Sequence, residues 1–261
     1  MTVATRRFVG SMFPPLLFGA LFLAAWEAVV GMFDLKPFFL PAPSAIGQAF
    51  ADNVGRVWDA TSVSGTNALI GLLAGTIVGV ASSFLLMRFS ILNELATPLA
   101  IALNAIPIIV LVSVFNNMFS ITSEVPRRLM VTLVVYFIVL VNVAKGLRQV
   151  HPTHLELLRS LAATKREVLV KARIPNALPH LFTALKVAAP TSVITAFVAE
   201  YFGGSQNGLG SRITSNVANS KNAVAWAYVL GACLLGLTFY LISIALESIT
   251  THRRGSDLGG A

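Results

Sequence analysis

The residues that could do chemistry are few and scattered. His151 and His154 stand three apart, a spacing that lets two imidazoles share one metal from a single helix face. No third ligand accompanies them, so they read as a solvated pair, and His180 and His252 are isolated. The single cysteine, Cys233, excludes a disulfide framework and a thiolate zinc cluster. No G-x-x-x-x-G-K-S/T phosphate loop occurs, so the chain does not itself supply an ATPase of that kind. The glycine-rich run from Glu200 to Gly210 is too generic to indicate phosphate binding. Glu27, Glu200 and Glu247 are the acids nearest long apolar stretches; Glu200 and Glu247 are expected at the outer and inner interfaces, where solvent lowers the cost of ionisation, and Glu27 calls for a polar partner. No nucleophile, base and acid come together, which argues against an enzyme and against any metal site. What remains is binding chemistry: Glu156 lies beside Arg159 and Ser160 with Leu155 and Leu158 adjacent, a charged anchor on an apolar helix face.

The elements that must carry these residues follow from composition. Of 261 residues, 56% are apolar and only 11% charged, less than half the usual charged share of a soluble chain. Disordered chains are polar and highly charged, so disorder is excluded as well. The class is an all-α integral membrane protein, and the net charge of +8 concerns topology rather than nucleic acid.

A helix crossing hydrocarbon needs roughly 20 mostly apolar residues. Stretches between charges predict six spans, at about 10–33, 62–87, 95–116, 127–147, 179–200 and 223–247, in a single transmembrane domain covering 1–261. With the N-terminus inside, cytoplasmic segments hold 13 of the 19 Lys and Arg and outer segments hold 6. The positive-inside rule therefore places both termini in the cytoplasm. Gly71, Gly75 and Gly79 form two overlapping G-x-x-x-G repeats on one face of the second span, suited to close packing or a wet pathway. Asn104, Pro107, Ser113 and Asn116 along the third span, and Thr191, Ser192 and Thr195 on the fifth, are candidate pathway-lining residues; the competing expectation for the hydroxyls and amides is hydrogen bonding between helices.

The long cytoplasmic segment, about 148–178, carries a surplus of four positive charges. Its leucines recur helically after Pro152, with Thr153 as N-cap, and Pro175 and Pro179 are expected to close the helix and lead into the next span. Either a surface helix on anionic lipid or a docking helix for a cytoplasmic partner fits this pattern.

Here the chain resembles the permeases of binding-protein-dependent ABC importers. Their motif is E-A-A, three residues, G, nine residues, then I-x-L-P. The matching register is Glu156-Leu157-Leu158, Arg159-Ser160-Leu161, Ala162, and then Ala172-Arg173-Ile174-Pro175. The glutamate, Ile174 and Pro175 match; the two alanines and the glycine are replaced by Leu157, Leu158 and Ala162. Leu40-Pro41-Ala42-Pro43-Ser44, Asn104-Ala105-Ile106-Pro107, Gly146-Leu147-Arg148, and Ala199-Glu200 with Gly208-Leu209-Gly210 resemble further segments of the nitrate, sulfonate and taurine branch.

The resemblance implies a type I ABC importer transmembrane domain in a bacterial cytoplasmic (inner) membrane, with a cytoplasmic coupling helix. Glu156, Leu157, Leu158, Arg159, Ser160, Ala162, Ile174 and Pro175 would couple it to the ATPase. It also implies the partners: a cytoplasmic ABC ATPase dimer that binds the ATP and Mg, a second permease copy or a homologous permease, and an extracytoplasmic substrate-binding protein. This chain would hold no cofactor. An ATP-independent channel or secondary carrier would call for charges near the membrane midplane or inverted internal repeats, and the sequence offers neither.

Overall fold

The computed structural model describes residues 3–89, 107–120, 123–203 and 207–257. Its elements are helices throughout: α1 (Val3–Met32), α2 (Pro43–Asp52), α3 (Val54–Arg88), α4 (Ile108–Met118), α5 (Val125–Arg148), α6 (Pro152–Ser160), α7 (Lys165–Val168), a π-helical turn (Leu169–Arg173), α8 (Ile174–Tyr201), α9 (Leu209–Ala218) and α10 (Asn222–Asp257). Four runs among the described residues are long and apolar enough to cross a membrane: Val54–Arg88, Val125–Arg148, Lys165–Tyr201 and Asn222–Ser248. They coincide with the second, fourth, fifth and sixth expected spans. The first and third expected spans fall on shorter apolar helical stretches, Leu17–Met32 and Ile109–Met118, and Asn104 lies outside the described residues.

The centre of the bundle is α5, packed against α3 on one side and α8 on the other. Lipid tails are as apolar as leucine, so helices in a bilayer associate through close van der Waals contact and interhelical polar bonds rather than through hydrophobic burial. The sequence of α3 meets that requirement with small residues every turn: Ser64, Ala68, Gly71, Gly75 and Gly79 are all buried. A Cβ at Gly71 would come within 2.4 Å of Val131 Cβ, one at Gly75 within 2.7 Å of the Thr132 carbonyl oxygen, and one at Gly79 within 3.0 Å of Tyr136 O. The glycine stripe is thus a backbone-to-backbone contact, filled from α5 by Val131, Val135 and Val139. On the other side α8 presents Ala184, Ala188 and Ala196 to the same core, and Gly146 of α5 lets Ala177 and His180 approach.

Hydroxyls in the bundle bond mostly within their own helix. Thr191, Thr195, Thr132 and Thr238 each donate to the carbonyl four residues back, and Ser192 donates to Ala189 O. Ser113 does the same toward Ile109 O at 3.3 Å. The expected interhelical bonds of Thr191, Ser192, Thr195 and Ser113 are therefore replaced by local ones, because a β-hydroxyl reaches the preceding turn without any partner helix.

Two turn expectations are corrected. Thr153 is not the N-cap of α6; His151 is, because Pro152 supplies the pre-set φ and needs no N–H partner at the first helical position. Pro175 and Pro179 do not end a helix. Pro175 follows the π turn in the first turn of α8, where its missing N–H costs little, and α8 runs on through Pro179.

The α3–α5 contact yields a test. Gly75→Ala should lower the thermal unfolding temperature of the solubilised chain by an amount corresponding to about 1–3 kcal/mol, the range for overpacking. Gly236→Ala, where a Cβ meets nothing within 4 Å, should leave it unchanged or slightly raised. Equal melting temperatures for the two variants would rule out this contact as an organiser of the fold.

Candidate functional site

Two polar constellations form at opposite ends of α5. The first surrounds α6. None of the residues of this helix is buried, and Leu157 and Leu161 are 57% and 69% exposed. Glu156 is exposed and makes no ion pair with another described residue, while the Ser160 hydroxyl turns back to Leu157 O. Between α6 and the start of α8 lies a cleft of about 430 Å³ in which Leu157, Leu158 and Pro175 meet Val150, His154, Lys171, Ala172 and Asn176. The structure thus brings together Leu157, Leu158 and Pro175, while Glu156, Arg159 and Ser160 stay on the open side; Ile174 is half-buried at the head of α8.

The helix ends in a Schellman turn. The Ala162 N–H donates to Arg159 O and the Ala163 N–H to Leu158 O, both at 2.9 Å, with Ala162 at φ +54°. This is the left-handed region that glycine enters freely and alanine enters at a cost of about 1–2 kcal/mol. A geometric demand for glycine thus sits at the motif position where this chain has Ala162. Next, Thr164 and Glu167 form a reciprocal capping box that starts α7.

This segment is fastened to the bundle by cations and an amide that the sequence left as loop residues. Arg148 Nη2 donates to Leu86 O of α3 at 2.8 Å, and Arg173 Nη1 to Leu147 O of α5 at 3.0 Å. Asn176 Nδ2 donates to Gly146 O at 2.7 Å and Gln149 O at 3.2 Å. All four acceptors belong to the last turns of α3 and α5 or the residue just past them, where carbonyls lack intrahelical partners and positive charge complements the helix dipole. Lys186 pairs with Glu247 at 2.7 Å, joining α8 to α10.

The second constellation is built on two carboxylates. Glu124, at the head of α5, accepts from Arg127 Nη1 at 2.6 Å, Asn67 Nδ2 at 2.7 Å and Asn207 Nδ2 at 3.1 Å. Arg127 is 1% exposed and also donates to Asn207 Oδ1, and Arg128 Nε donates to Asn67 Oδ1 at 3.0 Å. Glu200 is not at a solvated interface, as the sequence suggested, but 1% exposed. Its Oε2 accepts from Ser64 Oγ at 2.7 Å and the Gly210 N–H at 3.2 Å, while Ser64 Oγ accepts from the Leu209 N–H. The glycine-rich run is thus the seat of this carboxylate: a Cβ at Gly208 would lie 2.2 Å from the Glu200 carboxyl carbon. The amides opening α9 are satisfied by the protein's own acid and hydroxyl.

Glu27 finds the polar partner it requires. Its two carboxylate oxygens accept from Ser44 Oγ at 2.6 Å and the Ser44 N–H at 3.0 Å, capping α2 from another helix just after Pro41 and Pro43. Of the candidate pathway residues, Pro107 and Ser113 are exposed, Asn116 is half-buried beside Gly203, and Thr191 is half-buried. Ser192 and Thr195 are buried in the packing of α8.

The architecture is that of a helical membrane domain with an unburied, anchored helix beside a cleft at one end of the bundle. Residues 70–254 match the family described as binding-protein-dependent transport system inner membrane component. The chain is 30% identical over 241 residues to the formylaminopyrimidine transport permease protein ThiX of Halalkalibacterium halodurans, covering 90% of this chain and 93% of that one. It is 21% identical to the taurine transport system permease protein TauC of Escherichia coli K12, covering 88% and 84%. Its fold matches a chain from inward-facing structures of the MetNI methionine ABC transporter, with TM-score 0.54, 19% identity and coverage of 74% and 94%. The chain belongs to the binding-protein-dependent transport system inner membrane components. It is a multi-pass permease subunit of an ABC importer.

Two substitutions probe these turns. Ala162→Gly should slow amide hydrogen exchange at positions 162 and 163 by about fivefold to thirtyfold, the 1–2 kcal/mol relieved at a left-handed residue; unchanged exchange would mean the turn is not strained. Gly208→Ala should lower thermal stability, and pairing it with Glu200→Ala should recover part of that loss, giving a coupling of about 0.5–3 kcal/mol. Strict additivity in the double variant would show that the two groups do not share the space.

Proposed function

We propose that the chain has six spans with both termini in the cytoplasm, and that α6 and the turn through Ala162 are its coupling element. On this reading Glu156, Leu157, Leu158, Arg159, Ser160, Ala162, Ile174 and Pro175 meet a cytoplasmic ABC ATPase dimer, which binds ATP and Mg and does the hydrolysis. The observation that carries it is the combination of exposure and anchoring in α6: an apolar edge of Leu157 and Leu161 left open, on a segment tied by Arg148, Arg173 and Asn176 to the ends of α3 and α5. A helix serving only as a membrane-surface float would not need that connection. Displacement of α6 by the ATPase is passed to three helices at once.

The pathway forms between this chain and a second permease, a further copy or a homologue, with Asn104, Pro107, Ser113, Asn116 and Thr191 as the candidate lining. Ser192 and Thr195 are assigned to packing around it. The solute is small and polar and arrives on an extracytoplasmic binding protein; formylaminopyrimidine and taurine are what the two relatives are named for.

Affinity purification of the tagged chain from its native membrane, with mass spectrometry of what accompanies it, tests this reading. The wild-type chain should bring down an ATPase. Leu157→Asp with Leu161→Asp should lose it almost completely, and Glu156→Ala should reduce it several-fold, with the melting temperature of the purified chain unchanged. Full ATPase recovery by all variants would overturn the assignment of α6.

A further inference from the structure

At the end of the bundle away from α6, an open cavity of about 280 Å³ lies between α3, the head of α5 and Asn207. It is lined by Ser62, Val63, Thr66, Asn67, Glu124, Arg128 and Asn207. Its volume lies just below the range of drug-sized ligand sites, which suits a solute of few heavy atoms. Most of its polar groups are already committed. The Glu124 carboxylate holds Arg127, Asn67 and Asn207. The hydroxyls of Ser62 and Thr66 donate to Asp59 O and Ser62 O, which leaves their oxygens as acceptors only.

Arg128 differs. Asn67 Oδ1 fixes its Nε at 3.0 Å, and its two terminal amino groups have no hydrogen-bond partner among the described residues. The backbone carbonyl of the same residue takes the Thr132 hydroxyl, so the arginine sits on a regular turn of α5. A guanidinium held through Nε, with both Nη groups unspent on the wall of a small polar cavity, presents the fork that binds an oxyanion through two parallel N–H···O bonds. Glu124 shares the wall and pairs with Arg127, which also faces the buried Glu200; Arg128 is the cation that the wall itself offers. Glu200 is not among the lining residues.

We infer that this cavity is an oxyanion subsite of the translocation route, in which Arg128 receives the carboxylate, sulfonate or bicarbonate-like head of a small solute. This rests on the orientation proposed above, which puts the head of α5 on the side from which solute arrives. It narrows the solute from small and polar to small and anionic at one end. Asn67 is the positioning residue, since it holds Nε and thereby aims the fork.

The test uses the full chain in nanodiscs, with Cys233→Ser removing the one native thiol and Ser62→Cys reporting from the cavity wall. Modification by an anionic and a cationic methanethiosulfonate reagent is timed with and without millimolar methanesulfonate. Relative to their rates with a free thiol in solution, the anionic reagent should gain about fivefold over the cationic one, and methanesulfonate should slow the anionic reagent. Arg128→Gln should remove the preference and the protection together. Arg128→Lys should keep the preference while losing most of the protection, because a point charge replaces the fork. Absence of protection in the parent chain, or protection that survives Arg128→Gln, would overturn the inference. ATPase recovery is scored separately on the same preparations, so failure of the coupling reading and failure of this one give different results.

Discussion

The contact on which the rest depends is the approach of α3 to α5 at Gly71, Gly75 and Gly79. Where a methyl group would sit 2.4–3.0 Å from its neighbour, only hydrogen fits, and the two helices meet through backbone and valine side chains. In hydrocarbon this kind of close packing replaces the hydrophobic drive available in water. It fixes α5 beside α3 along its length, and the ends of α5 are where both polar constellations are assembled. At the head, Glu124 and Arg128 can reach Asn67 only because Gly71, one turn further along α3, has brought the helices together. At the tail, Arg148 reaches Leu86 O for the same reason.

The polar groups follow a second rule that the membrane imposes: a buried charge or amide must find its partner inside the protein. Glu124, Arg127, Asn67 and Asn207 satisfy one another across three elements, and Ser64, Glu200 and the Gly210 amide do so across α3, α8 and α9. The bonds of the buried Ser64 and Glu200 cost more to break than equivalent ones at a solvated surface, because no water waits to replace them. The end that carries Glu124 and Glu200 is therefore held by specific polar bonds and the middle by shape.

Much of this was legible in the sequence because it depends on neighbours in the chain. The glycine repeat states its own face through its spacing, Pro152 and the leucines announce α6, and Glu27 in an apolar run demands a partner that Ser44 supplies. What was not legible depends on residues far apart. Glu200 looked like an interfacial acid because its partner Ser64 lies 136 positions away. Arg148 and Arg173 looked like surface charge because the carbonyls they reach belong to helices whose ends converge only in the fold. The strain at Ala162 was visible only as a missing glycine; the φ of +54° supplies its reason. The fold class and the exposed helix α6 could thus be read from local pattern, and the anchoring of its segment could not.

One consequence concerns how the two ends communicate. At 1.5 Å per residue, the 24 residues of α5 span about 36 Å, enough to run from one face of the bilayer to the other. Its tail offers Leu147 O to Arg173, and its head carries Glu124 and Arg128 on adjoining turns. A helix clamped along its length by α3 and α8 bends little, so on the proposed coupling role of α6 a push on the loop through Arg173 and Asn176 would be delivered to the far end as a tilt or shift of the whole strut. The side chains that would feel it first are those whose bonds reach from α5 to other elements, Glu124 to Asn207 and Arg128 to Asn67. Coupling of the proposed kind would need no chain of rearranging side chains through the membrane, only a rigid element with a polar grip at each end.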